Sequence, residues 1–203
     1  MITSPITINE DETISEALDI FKRNSFHRLP VVDSAKRFIG LITEGVIAAN
    51  TPTSATSLSI YELNYLLSKT KVKDIMIKEP IVADQEMLLE EAADLMRRKN
   101  VGCLPIVEDS KLIGIITKND IFKAFVEMLG YYASGSRLVV EVDVDRPGIL
   151  KDIATVLSNE GISISHLVVY RDEKVNIIIR VEDTDGEKIK NLLTNVGYKV
   201  TEV

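Results

Sequence analysis

The 203-residue chain contains one cysteine and two histidines, and its sequence shows none of the residue arrangements typical of a catalytic site. Cys103 is its only cysteine, so an internal disulfide and a cysteine-based zinc site are both excluded. The sequence contains no Gly-x-x-x-x-Gly-Lys phosphate loop, no nucleophile elbow and no pair of carboxylates with a base between them. His166 has no second histidine or cysteine near it, which favours packing or a hydrogen bond over metal binding. We therefore expect no enzyme activity, no catalytic residue, no metal site and no required cofactor.

Composition excludes several further classes of protein. Hydrophobic residues make up 45% of the chain, which argues against disorder, and the longest apolar runs are far shorter than the roughly 20 residues of a membrane span. The first residues, Met1–Pro5, lack the basic region and apolar block of a secretion signal. Lys and Arg number 24 against 31 Asp and Glu, so no basic face for nucleic acid is expected. These features predict a cytoplasmic protein that binds neither nucleic acid nor membrane.

Two copies of one unit make up the first two thirds of the chain. A shift of 75 residues places Pro5–Thr7 on Pro80–Val82 and Leu29–Val32 on Leu104–Val107. Each copy shows the apolar spacing of an amphipathic helix, two short apolar strands and a second helix, giving the order β-α-β-β-α. Thr13, followed by Glu16, predicts a capping box at the start of the first helix. We assign the first copy to residues 1–50 and the second to residues 72–130.

The segment between the copies, residues 51–71, is longer than a simple connection. Its apolar pattern predicts a short helix over Ile60–Ser68 that packs over the repeat, or alternatively offers a docking surface to another protein. A lead-in, Val72–Met76, precedes copy two, whereas the same shift places Met76 opposite Met1. We therefore expect the natural chain, or its nearest relatives, to begin a few residues earlier.

The last third of the chain follows a different pattern. Residues 131–136 are interpreted as a linker, and residues 137–203 read β-α-β-β-α-β, a ferredoxin-like order. Asp145-Arg146-Pro147-Gly148 opens the first helix of this segment, with Asp145 as a possible cap and Pro147 in the first turn. Gly161 is predicted to end that helix.

These patterns resemble known families. The strands Leu29–Val32 and Leu104–Val107, together with Gly114–Asp120, resemble the cystathionine-β-synthase (CBS) motif, which pairs in tandem into a Bateman module. The stretch Asp145–Leu150 within its βαββαβ pattern resembles an ACT domain. The order CBS–CBS–ACT is similar to that of the bacterial acetoin-utilisation regulatory proteins. The resemblance implies an α/β (α+β) fold in which a CBS pair precedes a ferredoxin-like ACT domain.

The CBS resemblance implies a nucleotide site. In such pairs a Thr and an Asp hold the ribose of an adenosyl ligand, and Thr117 and Asp120 match that pattern. A carboxylate accepts both vicinal ribose hydroxyls, each bond contributing roughly 1.5–3 kcal/mol. The alternative role of Asp120 is as an N-cap of the following helix. Copy one has Val46 at the position of the Asp, so one competent cleft is expected instead of two.

A second resemblance implies which residues would contact the phosphates of the ligand. His27-Arg28-Leu29-Pro30 resembles a segment of the γ subunit of AMP-activated kinase in which the basic pair meets phosphates. Because the Asp of one copy faces the basic strand of the other in such pairs, Asp120 is expected to share a cleft with His27 and Arg28. Adenine would lie beside Phe26, for which packing in the core is the alternative role. For Ile6, packing in the core is the favoured role. The implied nucleotide-binding residues are Thr3, Ile6, Thr7, Phe26, His27, Arg28, Pro30, Ile115, Thr117, Lys118 and Asp120. Copy two has Val101-Gly102-Cys103 in the corresponding stretch, which contains no basic residue. Because of this, AMP, ADP, ATP and S-adenosylmethionine all stay open as ligands.

The ACT resemblance implies binding of an amino acid or small effector, or dimerisation. Asp145, Pro147, Gly148 and Ile149 are the implied effector-binding residues, because Gly148 lets a ligand carboxylate approach the start of the helix. The alternative is that these residues only begin a helix. We therefore interpret the chain as a non-catalytic sensor of an adenosyl nucleotide, a homodimer, with a possible link to acetoin utilisation. The competing hypothesis is an interaction subunit that regulates a partner enzyme without binding a small molecule.

Overall fold

The computed structural model describes residues 2–51, 59–171 and 173–203. The chain divides into two compact units, Met1–Ile121 and Phe122–Val203, each with its own core. No helix in the described ranges has both the length and the apolar character needed to cross a bilayer.

The first unit contains copy one and the part of copy two that ends at Ile121. Copy one consists of β1 (Ile2–Thr3), β2 (Ile8–Asn9), α1 (Ile14–Asn24), β3 (Arg28–Val32), β4 (Phe38–Thr43) and α2 (Glu44–Asn50). The connecting segment and lead-in contain α3 (Ile60–Lys69) and α4 (Val72–Ile75), and copy two consists of α5 (Leu89–Lys99), β5 (Cys103–Glu108), β6 (Lys111–Thr117) and α6 (Lys118–Met128). Helix α6 begins in the first unit and continues into the second.

Helix α1 forms where the sequence predicts it. The Thr13 hydroxyl accepts a hydrogen bond from the Glu16 backbone N–H, and the Glu16 carboxylate accepts one from the Thr13 N–H at 2.6 Å. The predicted capping box is therefore confirmed, and it satisfies N–H groups that have no partner within the helix. The helix buries Ile14, Ala17 and Phe21 against copy one.

The two copies exchange their first extended segments. Strand β1, at the start of copy one, pairs antiparallel with β6 of copy two, with Thr3 opposite Gly114. In return Ile77, which directly follows the lead-in of copy two, pairs with Leu41 in β4 of copy one. Within each copy the strand pairs β3–β4 and β5–β6 are antiparallel. Each copy therefore contributes backbone to the sheet of the other, which brings the ends of β4 and β6 next to residues of both copies.

A small apolar cluster joins the copies at their centre. Leu41, Cys103 and Ile115 form it, and all three are buried. Leu41 and Ile115 occupy corresponding positions in the repeat, so the cluster lies where the two copies face one another. Cys103 is 4% exposed and packs there as a small buried hydrophobe.

The predicted helix in the connecting segment is present as α3. Leu67 packs against the core of copy one, so the helix packs over the repeat as expected. Tyr61 and Tyr65 on its other side are 86% and 62% exposed. The docking role suggested for this segment therefore stays a prediction.

The second unit has the predicted βαββαβ order after the end of α6. It contains β7 (Ser136–Val142), α7 (Ile149–Asn159), β8 (Ile164–Arg171), β9 (Val175–Val181), α8 (Gly186–Asn195) and β10 (Lys199–Glu202), with the sheet order β10-β7-β9-β8. The inward side chains of β7 and β9 pack against Ile153, Leu157 and Ile189 of the helices. Gly161, with φ at +71°, follows the end of α7 as predicted.

The start of α7 differs from the prediction. Gly148 is the N-cap, with φ at +96° and no side-chain cap hydrogen bond. The helix begins at Ile149, so Pro147 lies before its first turn and Asp145 does not cap it. Asp145 instead accepts a hydrogen bond from Arg171 at 3.3 Å. Asp145 and Pro147, which lie before the helix, can therefore line a surface next to its start.

Candidate functional site

Two equivalent junctions, where a strand runs directly into a helix, lie in the first unit. At the β4–α2 junction, Thr43 caps the helix and the Glu44 N–H donates to the His27 carbonyl at 3.0 Å. At the β6–α6 junction, the Lys118 N–H donates to the Gly102 carbonyl at 3.2 Å. Each junction is therefore attached to the start of the neighbouring strand, β3 or β5, of its own copy. The two sites have the same construction with different side chains.

A cleft of about 510 Å³ opens at the first of these junctions. Copy one supplies its β3 start and its β4–α2 junction, and copy two supplies the segment that follows its lead-in and the start of β5. We call it the Glu44 cleft, and its lining consists of His27, Arg28, Leu41, Thr43, Glu44, Gly45, Ile77, Glu79, Pro80, Ile81, Val101, Gly102 and Cys103. Both copies thus contribute side chains to one cavity.

The repeat defines the corresponding set at the second junction. The counterparts of Ile81, Val101 and Gly102 are Ile6, Phe26 and His27, and the counterpart of Cys103 is Arg28. The counterparts of Leu41, Thr43, Glu44 and Val46 are Ile115, Thr117, Lys118 and Asp120. We call this set, which is defined by the repeat alone, the Asp120 cleft. In the structure His27 and Arg28, which belong to the set, line the Glu44 cleft. The set contains most of the residues implied by the family resemblance, drawn from both copies.

Thr117 and Asp120 are brought together at the start of α6. Asp120 Oδ2 accepts hydrogen bonds from the Thr117 N–H at 2.8 Å and from the Thr117 hydroxyl at 2.6 Å. The Thr117 Oγ1 accepts one from the Asp120 N–H at 3.3 Å. Thr117 is therefore the cap, and the suggestion that Asp120 is the N-cap is wrong, because its carboxylate reaches back from the third helical residue.

The environment of Asp120 keeps its carboxyl ionised. Partial burial acts to raise the pKa of this carboxyl, but the pKa lies below its ordinary value, and the hydrogen bonds donated by the hydroxyl and backbone of Thr117 are the largest of the effects that lower it. An ionised carboxylate at neutral pH is the form that accepts hydrogen bonds from a diol.

The guanidinium of Arg28 lies across the boundary between the copies, against Gly102. A Cβ atom placed on Gly102 would be 2.5 Å from Nη1 of Arg28. Burial raises the pKa of the neighbouring Cys103 thiol, and the hydrogen bond and charge of Arg28 partly offset this. Among the described residues, no carboxylate lies within 4.0 Å of this guanidinium. The Gly102 carbonyl accepts from Lys118, so Arg28 lies beside the strand end to which the helix of Asp120 is attached.

His27 has a partner that the sequence did not reveal. Its Nδ1 lies 2.8 Å from a carboxylate oxygen of Glu44, and both side chains are exposed. Glu44 directly follows Thr43, so its position at a predicted helix start was the available signal. The structure therefore shows His27 beside the β4–α2 junction of its own copy, and its predicted meeting with ligand phosphates stays a prediction.

The remaining predicted residues differ in how deeply they are buried. Ile6 is 44% exposed, so the core-packing role favoured for it is wrong, because its short segment lies between β1 and β2 at the surface. Thr3 is exposed and Thr7 is half-buried. Phe26 is half-buried and packs against the core of copy one. Pro30 is buried within β3, opposite Leu41.

A separate cavity of about 420 Å³ lies in the second unit. All four residues implied by the ACT resemblance line it, together with two arginines that sequence reasoning did not single out. Arg171 pairs with Asp145 at 3.3 Å, and Arg146 pairs with Asp152 at 2.7 Å. The lining consists of Asp145, Arg146, Pro147, Gly148, Ile149, Leu150, Val169, Arg171, Val175 and Ile177. An apolar floor with paired charges at its edge suits a small molecule that carries both an apolar and a charged group.

Comparison with known families agrees with this division. The family described as "CBS domain" matches residues 1–49 and 72–127. The family described as "ACT domain" matches residues 136–196.

The chain is similar to several characterised and solved proteins. A CBS domain-containing protein from Dictyostelium discoideum is 35% identical over 130 residues, which is 64% of this chain and 90% of that protein. An inosine-5'-monophosphate dehydrogenase from Methanocaldococcus jannaschii is 37% identical over 61% of this chain, but the chain spans only 22% of that enzyme. The crystal structure of CBSX2 in complex with AMP shares 28% identity and a TM-score of 0.50, covering 61% of this chain and 89% of that one. A candidate acetoin utilization protein (AcuB) from Vibrio cholerae shares the fold, with 23% identity and a TM-score of 0.54 over 65% of this chain and 90% of that one.

Proposed function

We infer that this chain, which belongs to the CBS-domain proteins and carries an ACT domain after its CBS pair, is a regulatory protein that binds an adenosine-containing ligand in the Asp120 cleft. One observation carries the proposal. The guanidinium of Arg28 lies against Gly102, and the Gly102 carbonyl accepts a hydrogen bond from the first residue of the helix that bears Asp120. The Arg28 cation, which lines the Glu44 cleft, therefore also lies beside the strand end to which the helix of the Asp120 carboxylate is attached.

The chemistry of this pair fits a nucleoside monophosphate. The ionised Asp120 carboxylate would accept hydrogen bonds from the ribose hydroxyls. Arg28 would donate to phosphate oxygens, which match the fork of its guanidinium. The exposed Ile6 and the half-buried Phe26 would contact the adenine ring. The similarity to CBSX2, a protein solved with AMP, supports AMP as the first ligand to test.

The comparisons also bear on catalysis. The inosine-5'-monophosphate dehydrogenases match this chain only over their CBS region, outside the catalytic domain. The similarity is therefore no evidence that this chain has dehydrogenase activity. We propose that the protein acts on others by changing state when its ligand binds, which requires the ligand to favour one state over another.

Replacing Asp120 with Ala tests the ribose site. We expect the affinity for AMP to fall about a hundredfold or more, because two charge-assisted hydrogen bonds are lost. Titration calorimetry with AMP measures the change. The assignment of the site is wrong if the variant binds AMP as tightly as the wild type, and the interaction-subunit hypothesis prevails if the wild type binds no adenosyl compound.

The capping box at α1 provides a matched control for this substitution. Glu16 and Thr13 make the same pair of reciprocal bonds at α1 as Asp120 and Thr117 make at α6. Replacing Glu16 with Ala should lower stability by about 1 kcal/mol, as loss of a helix cap does, and leave AMP affinity unchanged. A loss of AMP affinity in both variants would assign the effect to helix fraying.

The ACT cavity is proposed as a site for a free amino acid. The backbone at Gly148, where no side chain intervenes, and the arginines at the rim would hold its carboxylate, and Ile149 and Ile177 would contact its apolar side chain. A thermal-shift panel of amino acids should show at least one that raises the melting temperature. That shift should be reduced in an Arg171→Ala variant, and a panel without any shift contradicts this part of the proposal.

We further propose that the protein is a homodimer linked to acetoin utilisation. Phe122, Phe125 and Met128 on α6 are each more than half exposed, which supports an apolar contact with a second copy. The link to acetoin rests on the shared order of domains alone.

A further inference from the structure

Helix α6 is short and packs little of its surface into a core. It spans the 11 residues Lys118–Met128, and none of its side chains is buried. Ile121, in the first turn, packs partly against the core of copy two. Helices shorter than about 12–15 residues are marginal in water unless contacts outside the helix stabilise them. The stability of α6 therefore depends strongly on what its two ends contact.

The last turn of α6 ends in a Schellman motif. Gly130, with φ at +66°, donates from its N–H to the Glu127 carbonyl at 2.9 Å, and the Tyr131 N–H donates to the Val126 carbonyl at 3.1 Å. These bonds satisfy carbonyls that have no partner within the helix. The next carbonyl, that of Leu129, accepts a hydrogen bond from a side chain of the ACT sheet.

Two side chains of the ACT sheet contact this end of α6. Arg180 of β9 donates from Nε to the Leu129 carbonyl at 3.2 Å. His166 of β8, directly opposite Arg180, lies against Gly130, where an added Cβ would be 2.5 Å from its Nδ1. A cation at the carbonyl end of a helix also interacts favourably with the helix dipole. Towards their other ends the same two strands line the ACT cavity.

We propose that α6 is a conformational link, in which the ordered first turn at Asp120 and the contacts of Arg180 and His166 with the last turn stabilise each other. Helix formation is cooperative, so a short helix that loses support at one end opens more easily at the other. Arg180 and His166 act as positioning residues. A ligand bound by Asp120 would then stabilise β8 and β9 beside the ACT cavity, and this consequence alone rests on the proposed function.

Backbone hydrogen exchange in the full chain, without any ligand, tests the link from both directions. Asp120→Ala removes the cap at the start, and the Gly130 and Tyr131 amides should exchange about fivefold faster, the factor that corresponds to loss of a helix cap. Arg180→Met removes the contact at the end, and the Lys118 and Asp120 amides should exchange faster by a similar factor, because coupling between two sites is reciprocal.

Two matched variants control for general loss of stability. Glu16→Ala removes the equivalent cap at α1. Arg137→Met removes the arginine directly opposite Arg180 on β7, whose side chain donates no hydrogen bond within the described part of the chain. Neither should change the exchange of the α6 amides, and a change in either one would overturn the link. All variants are compared at one chain concentration, because the second copy proposed to contact Phe122 and Phe125 would also stabilise α6.

An effect confined to the altered end, in either Asp120→Ala or Arg180→Met, would overturn the link as well. Saturating AMP should slow exchange at Gly130 and Tyr131 of the wild type by about fivefold or more, and this protection should extend to the β9 amides in the wild type but not in Arg180→Met. AMP that binds without slowing these amides would overturn the proposed effect of the ligand on β8 and β9. A chain that binds no AMP would overturn the proposed function, and the comparison without ligand would still decide whether the link exists.

Discussion

Replacing Val46 with Asp should give the chain a second adenosine site, so that the number of adenosine molecules bound per chain rises from one to two. Val46 is the third residue of α2, as Asp120 is of α6. Its N–H donates to the Thr43 hydroxyl at 3.2 Å, and the Asp120 N–H donates to the Thr117 hydroxyl at 3.3 Å. The backbone that positions the carboxylate is therefore already present in the Glu44 cleft, and only the side chain is missing.

The expected gain is large because a new carboxylate would accept both ribose hydroxyls. Two charge-assisted hydrogen bonds at roughly 1.5–3 kcal/mol each correspond to about a hundredfold gain in affinity or more. The cleft has the volume, about 510 Å³, and the apolar walls, Ile81 and Val101, for a purine. Adenosine is the suitable probe, because it does not depend on how the basic residues near this cleft are arranged.

Val46→Asn is the control for this experiment. It has the shape of Asp without the charge, and either substitution removes the same partial packing of Val46 against the core of copy one. Calorimetric stoichiometry should stay at one for Val46→Asn and reach two for Val46→Asp. A stoichiometry of one in both variants would show that the equivalence of the two junctions does not extend to ligand binding.

Much of the fold followed from local patterns in the sequence. The repeat and its helices were predictable because they depend on apolar spacing and caps within a few residues, as at Thr13 and Glu16. The βαββαβ order of the second unit followed in the same way from strand alternation and Gly161. Each of these signals depends only on residues that are close together in the sequence.

The features that the sequence did not reveal depend on contacts between distant segments. One such feature is the exchange of extended segments between the copies, with Thr3 on β6 and Ile77 on β4. Ile6, which follows the exchanged strand β1 and which apolar character alone assigns to a core, is exposed. The contact of Arg28 with Gly102 joins residues that are far apart in the chain. The start of α7 was misplaced because Asp145 suits a cap and Pro147 suits a first turn, whereas Gly148, at positive φ, is the N-cap and the helix begins only at Ile149.

Gly135→Ala should destabilise the second unit strongly, because the new methyl group would meet both an unfavourable backbone conformation and a fixed neighbour. Gly135 has φ at +105°, and an added Cβ would overlap the backbone carbonyl of Val181. That carbonyl belongs to the last residue of β9, opposite Ser136 at the start of β7, so it cannot move without disturbing the sheet. The positive φ costs an alanine about 1–2 kcal/mol, and relief of the overlap adds about 1–3 kcal/mol.

Gly161→Ala separates the two parts of this cost. Gly161 also has a positive φ, at +71°, but an added Cβ would meet no atom within 4 Å. It should therefore lose only the conformational part, about 1–2 kcal/mol, whereas Gly135→Ala should lose roughly 2–5 kcal/mol. Hydrogen exchange of the β7 and β9 amides measures the opening free energy of this unit separately from the CBS pair. Equal losses in the two variants would mean that the approach of β9 to Gly135 contributes nothing, because the main difference between the two sites is the carbonyl that the new methyl group would meet.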